Sequence, residues 1–102
     1  MAGTFNYHFE WNPAKAASNR RKHGVTFEQA ATVFLDPLMV SAANQEHSEH
    51  EERWLTLGYG RDIGLLVVIH TYQDIDIDVA RVRIISARPA TKHEQRQYGE
   101  NR

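Results

Sequence analysis

The chain has 102 residues, with 12 Lys and Arg against 13 Asp and Glu, a net charge of −1 and no cysteine. That length supports one domain over 1–102, and the missing cysteines exclude disulfides and thiolate metal sites and fit a reducing compartment. A near-neutral balance excludes the uniformly basic surface of a protein that binds nucleic acid by charge alone, and no apolar run approaches the roughly 20 residues of a membrane span, so a cytoplasmic protein is expected.

Phe5, Tyr7, Phe9 and Trp11 alternate with Asn6, His8 and Glu10, the period of a strand with one aromatic face. Asn12-Pro13 then opens a helix, the amide as N-cap and proline at the first helical position, and the helix runs from Ala14 to Lys22. Ala14, Ala17 and Ser18 predict close packing, and Gly24 is placed for a left-handed C-terminal cap. Thr26-Phe27-Glu28-Gln29 fits a capping box for a second helix, with Val25 stapled against Ala30. Phe27, Ala30, Ala31 and Phe34 fall on one face, and Asp36-Pro37 stops the helix.

Leu38 to Ser41 reads as a short strand, Ala43 to Glu52 as a polar loop, and Arg53 to Leu57 as strand again. Gly58, Gly60 and Gly64 mark a turn. The continuous apolar run from Leu65 to Tyr72 predicts a central strand covered on both faces, with His70 a hydrogen-bonded core or rim residue. Ile75, Ile77 and Val79 alternate with aspartates, yet the apolar phase moves to even numbers at Ala80, so a bulge or turn must intervene there. From Arg81 to Arg88 the chain reads as a strand with Ala80, Val82, Ile84 and Ser86 on one face and Arg81, Arg83 and Ile85 on the other; Pro89 closes it. Arg88 falls on the apolar side by parity, where a bulge or the Pro89 turn would redirect it. Thr91-Lys92-His93-Glu94 forms a second capping box for a short helix ending at Gly99. The sum is α+β: an antiparallel sheet with two N-terminal helices on one face and a short C-terminal helix.

Cations cluster in the first and last quarters, where Lys15, Arg20, Arg21 and Lys22 are met by Arg81, Arg83, Arg88, Lys92, Arg96 and Arg102. A fold that joins the two ends creates a local cationic face within a near-neutral total. Metal and cofactor motifs fail. Asp74-x-Asp76-x-Asp78 lacks the glycine and glutamate of a calcium loop. His47-x-x-His50 lacks the HExxH spacing and reads as solvated loop. No phosphate-binding glycine loop or GxSxG elbow is present. What remains is a metal-free cationic site. RNA suits such a site, because its 2′-hydroxyl supplies the nucleophile if the protein aligns it and stabilises the added charge.

Phe9-Glu10-Trp11, Lys15, Asn19, Lys22-His23-Gly24-Val25, Phe27, Asp36-Pro37, Glu52-Arg53-Trp54, Gly58 and the run Arg83 to Arg88 followed by Ala90, Glu94 and Tyr98 resemble the BrnT family. The resemblance covers nearly the whole chain. It implies a RelE-like ribonuclease toxin of a type II toxin–antitoxin system, RNA cleavage that inhibits translation, and neutralisation by a ribbon-helix-helix antitoxin, BrnA, with operator DNA met only through the complex. It also implies a catalytic face. Arg53, Arg83 and Arg88 are expected to hold phosphate, Lys22 to assist and His23 to transfer a proton, with no cofactor or metal. Glu94 and Tyr98 are expected in core packing or on the antitoxin-facing surface. Two features depart from the family: Asn12 stands where aspartate is usual, and Gln73 to Ala80 lengthens the hairpin before the motif strand. A competing reading keeps the scaffold as a non-catalytic binding module; a third is a metal-dependent hydrolase using His47 and His50.

Overall fold

The computed structural model describes residues 5–44 and 51–100. His47 and His50 lie outside them. The elements in chain order are β1 (Asn6–Glu10), α1 (Pro13–His23), α2 (Phe27–Ala31) continued by a 3-10 turn (Thr32–Leu35), β2 (Val40–Ala43), β3 (Trp54–Gly60), β4 (Gly64–His70), β5 (Gln73–Asp76), β6 (Val79–Pro89) and α3 (Lys92–Glu100). The six strands form one sheet in the order β1-β6-β4-β3-β2, with β5 on β6. All pairings are antiparallel except the outermost, where β1 runs parallel to β6 with Tyr7 opposite Ala80 and Glu10 opposite Arg83. Residue patterns set strand period but not partner direction, so this pairing was not legible in them.

The local signals explain the helices. Asn12 Oδ1 accepts from Ala14 N and Lys15 N at 2.8 and 3.1 Å, so the amide caps α1 as expected. Gly24 has φ 69°, the left-handed region where L side chains are strained, and its N–H closes on Arg20 O. Thr26 and Gln29 exchange both bonds of the capping box. The packed face of α1 is not the one expected. Ala14 and Ala17 are exposed, and Ala16 and Asn19 turn inward, because the helix lies over β6 rather than flat on the sheet.

The main core lies between this helical layer and one sheet face: Val25, Phe27, Ala30, Val33 and Phe34 against Leu66, Val68, Val82, Ile84 and Ala87. On the other face, Tyr98 of α3 packs on Leu57 and Val67. The central strand β4 is therefore covered on both faces, as its unbroken apolar run predicts, and α3 lies on the sheet face away from the other helices. Gly58 and Gly60 belong to β3 and not to the turn. A Cβ on Gly58 would stand 2.9 Å from Val33 Cγ1, so the 3-10 turn rides close to the strand only because that side chain is missing. The phase change near Ala80 is a hairpin turn between β5 and β6. Gly99 is helical, and α3 continues to Glu100.

Tyr98 also pins α3. Its hydroxyl donates to Asp36 Oδ2 at 2.6 Å, and the same oxygen accepts from Tyr59 N at 2.9 Å.

Candidate active site

The site begins with a bulge. Ile69 pairs with Ser86 but His70 pairs with Ile84, so Ile85 is an extra residue in β6. One extra residue flips every side chain beyond it to the other face. Ala80, Val82 and Ile84 are buried in the main core, and after the bulge the next buried residue is Ala87. Arg83, Ile85, Ser86 and Arg88 thus share the opposite face. Ser86 was expected on the apolar side; the bulge moves it, and it redirects Arg88 by the same step.

The open edge of β6 is the second ingredient. β1 stops at Glu10, opposite Arg83. Beyond that point Asn19 of α1 takes the place of a strand: its Oδ1 accepts from Ala87 N at 3.0 Å, and its Nδ2 donates to Ala87 O at 2.8 Å and Val25 O at 3.0 Å. The amide is 5% exposed. A primary amide presents one acceptor and two donors, the set that one strand residue and one loop carbonyl require. This bond fixes the last turns of α1, and with them Lys22 and His23, beside Ser86.

Two hollows result. One, of about 300 Å³, is lined by Lys15, Ser18, Lys22, His23, Ile85 and Ser86. The other, of about 480 Å³, is lined by Asn44, Arg53, Leu55, Ile85, Ser86 and Arg88. They meet at Ile85 and Ser86, so the expected helix-end pair and two of the three arginines flank one stretch of β6. Arg83 lies outside both hollows. It shares the face but is bonded to Glu51, which also stands 4.0 Å from Arg53. Among the described residues, Lys22 and His23 have no ion-pair partner, and no cluster of His, Asp and Glu is placed to hold a metal ion.

Arg88 is held by Glu94. Nη1 and Nη2 donate to Oε1 and Oε2, each at 2.8 Å. This parallel pair uses one edge of the fork and leaves Nε–H and the second Nη2 hydrogen directed elsewhere. Glu94 also closes the second capping box, Oε1 accepting from Thr91 N at 2.9 Å while Thr91 Oγ1 accepts from Glu94 N at 3.2 Å. Sequence reasoning placed Glu94 in packing or a partner surface. The missed signal was its place in the box, which fixes its carboxylate over the end of β6. Ser86 and Asn19 were also missed as site-building residues, since their positions depend on the bulge and on tertiary packing.

The Arg88 bonds, opposed by partial burial, hold the Glu94 carboxyl at about 2, well below its ordinary 4.5. Its folded-state pKa is depressed, so the stabilisation is complete above the unfolded value and is lost as pH falls from about 4.5 toward 2. Solvent reaches the pair, which limits the effect to about 1–2 kcal/mol. Glu94→Gln is expected to flatten this acid limb in urea denaturation measured from pH 6 to pH 3; an unchanged slope would remove the pair from the stability account.

The model of the family described as ribonuclease toxin, BrnT, of type II toxin–antitoxin system matches residues 11–94. The chain belongs to the BrnT family. All five expected site residues fall within the matched segment. The crystal structure of the Brucella abortus ribonuclease toxin BrnT is similar with a TM-score of 0.55 and 20% identity, covering 87% of this chain and 100% of that one. At that identity the likeness establishes the shared α+β fold. No curated protein matches the sequence. Membership of the BrnT family implies a cognate antitoxin as partner, and among the described residues no helix is long and apolar enough to cross a membrane.

Proposed function

We propose that this BrnT-family chain is a metal-independent endoribonuclease that acts in the cytoplasm, inhibits translation by cleaving RNA, and is neutralised by a ribbon-helix-helix antitoxin of the BrnA kind. The observation that carries the reading is that the hollow of Lys22 and His23 and the hollow of Arg53 and Arg88 share Ile85 and Ser86 in their lining. In the reaction the 2′-oxygen forms a bond to its own phosphorus while the bond to the 5′-oxygen breaks, giving a 2′,3′-cyclic phosphate and a 5′-hydroxyl. His23 accepts the 2′-hydroxyl proton, Lys22 faces the leaving oxygen, which takes its proton from water, and Arg53 with the open edge of Arg88 stabilises the charge on phosphorus. Arg83, outside the hollows, holds a flanking phosphate.

Purified protein is expected to cut RNA in EDTA and leave cyclic phosphate ends, with His23→Ala slower by about 10²–10⁴. Intact RNA with folded protein, or activity abolished by the chelator, would sink the proposal. A second reading is favoured by one observation, that Glu51 and Glu94 already engage Arg83 and Arg88. It makes the chain a binding module, and under it Arg83→Ala and Arg88→Ala change antitoxin binding alone.

A further inference from the structure

On the sheet face away from these arginines, where Ala43, Trp54 and His70 stand in one row, lies a cavity of about 190 Å³ with walls of Tyr7, Phe34, Met39, Trp54 and Tyr72. The walls are preformed: ring centroids of Tyr7 and Phe34 are 5.2 Å apart, and those of Phe34 and His70 are 4.9 Å apart. The floor is His70, 2% exposed. Its Nδ1–H donates to Thr71 O at 2.9 Å, so Nε2 is the acceptor for the Thr56 hydroxyl at 2.6 Å, and Ser41 in turn donates to Thr56 at 2.7 Å. Burial lowers the His70 pKa and keeps the ring neutral.

Every polar atom of that chain faces another, so a guest meets apolar surface. A nucleobase entering would forfeit the hydrogen bonds of its edge to water, whereas a hydrocarbon side chain gives up nothing. A dry cavity of about 150 Å³ takes benzene, so this one holds one side chain of that size. The rim adds charge. Phe5 and Tyr72 are 41% and 40% exposed, and burial first, then the nearby charge of Asp74, raise the Tyr72 pKa; Asp74 is the first of the three aspartates of the β5–β6 hairpin. Among the described residues none of Asp74, Asp76 and Asp78 is in an ion pair.

We propose that this cavity is a docking site for a protein partner that inserts one aromatic or branched side chain flanked by lysine or arginine, and that the partner is the antitoxin. The inference rests on the toxin–antitoxin reading for the partner but not on the nuclease chemistry.

The probe is a capped Lys-Lys-Phe-Lys-Lys peptide titrated into the ¹⁵N-labelled full chain. Amide shifts are expected at Tyr7, Met39, Ser41, Trp54 and Tyr72, with a dissociation constant on the order of 1 mM. Binding is expected to weaken at least ~10-fold with Lys-Lys-Ala-Lys-Lys and several-fold in Asp74→Lys or at high salt. Ser41→Phe, which fills the cavity, is expected to abolish it. Shifts scattered elsewhere, an equal response to the alanine peptide, or perturbation of the cavity by an RNA dinucleotide instead of the peptide overturns the proposal. Asp74→Lys is expected to cleave RNA at the unaltered rate, so a failure of the nuclease reading and a failure of the docking site are read separately.

Discussion

Replacing Arg88 by alanine is expected to slow RNA cleavage by about 10²–10³ with little change in substrate affinity, because a group that meets charge developing on phosphorus contributes mainly in the transition state. The geometry makes a more specific claim. Glu94 spans the Nη1–Nη2 edge of Arg88 and leaves the other edge for a phosphate oxygen. Lysine has no second edge, so Arg88→Lys is expected to recover little of the lost activity although it keeps the charge. Glu94→Gln keeps the guanidinium and loosens its orientation, and is expected to cost about tenfold, appearing in kcat rather than KM. Single-turnover rates on one defined RNA, with circular dichroism melts of each variant, provide the check. Wild-type rates in Arg88→Ala would assign the paired arginine to structure alone.

Asn19→Ala is expected to destabilise the fold by about 3–4 kcal/mol, a loss of a size normally reserved for a large core side chain. The alanine leaves Ala87 N–H, Ala87 C=O and Val25 C=O without the amide they share, in a place too buried for water to reach freely. Asn19→Asp is informative beside it. A carboxylate still accepts from Ala87 N–H but opposes the two carbonyl oxygens, so that variant is expected to lie near the alanine one and to recover partly when the carboxyl is protonated. Urea midpoints at pH 7 and pH 4 measure both. A shift below about 1 kcal/mol would mean that solvent replaces the amide.

Much of the architecture follows from short-range chemistry. The Asn12-Pro13 start of α1, the left-handed Gly24 and both capping boxes were readable because each needs only neighbours within four residues. The apolar run of β4 likewise announced its central place. What the residues did not announce depends on contacts distant in sequence: the parallel pairing of β1, the inward turn of Asn19 and the choice of Ile85 for the bulge, which the sequence offered only as an alternative to the Pro89 turn. The site shows the same division. Lys22, His23, Arg53 and Arg88 were nominated together and do flank one stretch of β6. Arg83 shares their face by parity, yet its carboxylate partner Glu51 comes from another part of the chain, and no spacing along the sequence foretells that pair.

The Asn19 bridge has a temporal consequence. Because α1 is clamped by Ala87, 68 positions further along the chain, the two sides of the hollow come from segments that leave the ribosome at different times. A growing polypeptide carries Lys22 and His23 early but has nothing to set them against until Ala87 has emerged. Under the proposed function, a nascent chain that stops short of Ala87 carries the helix-end pair without the strand that completes the cleft.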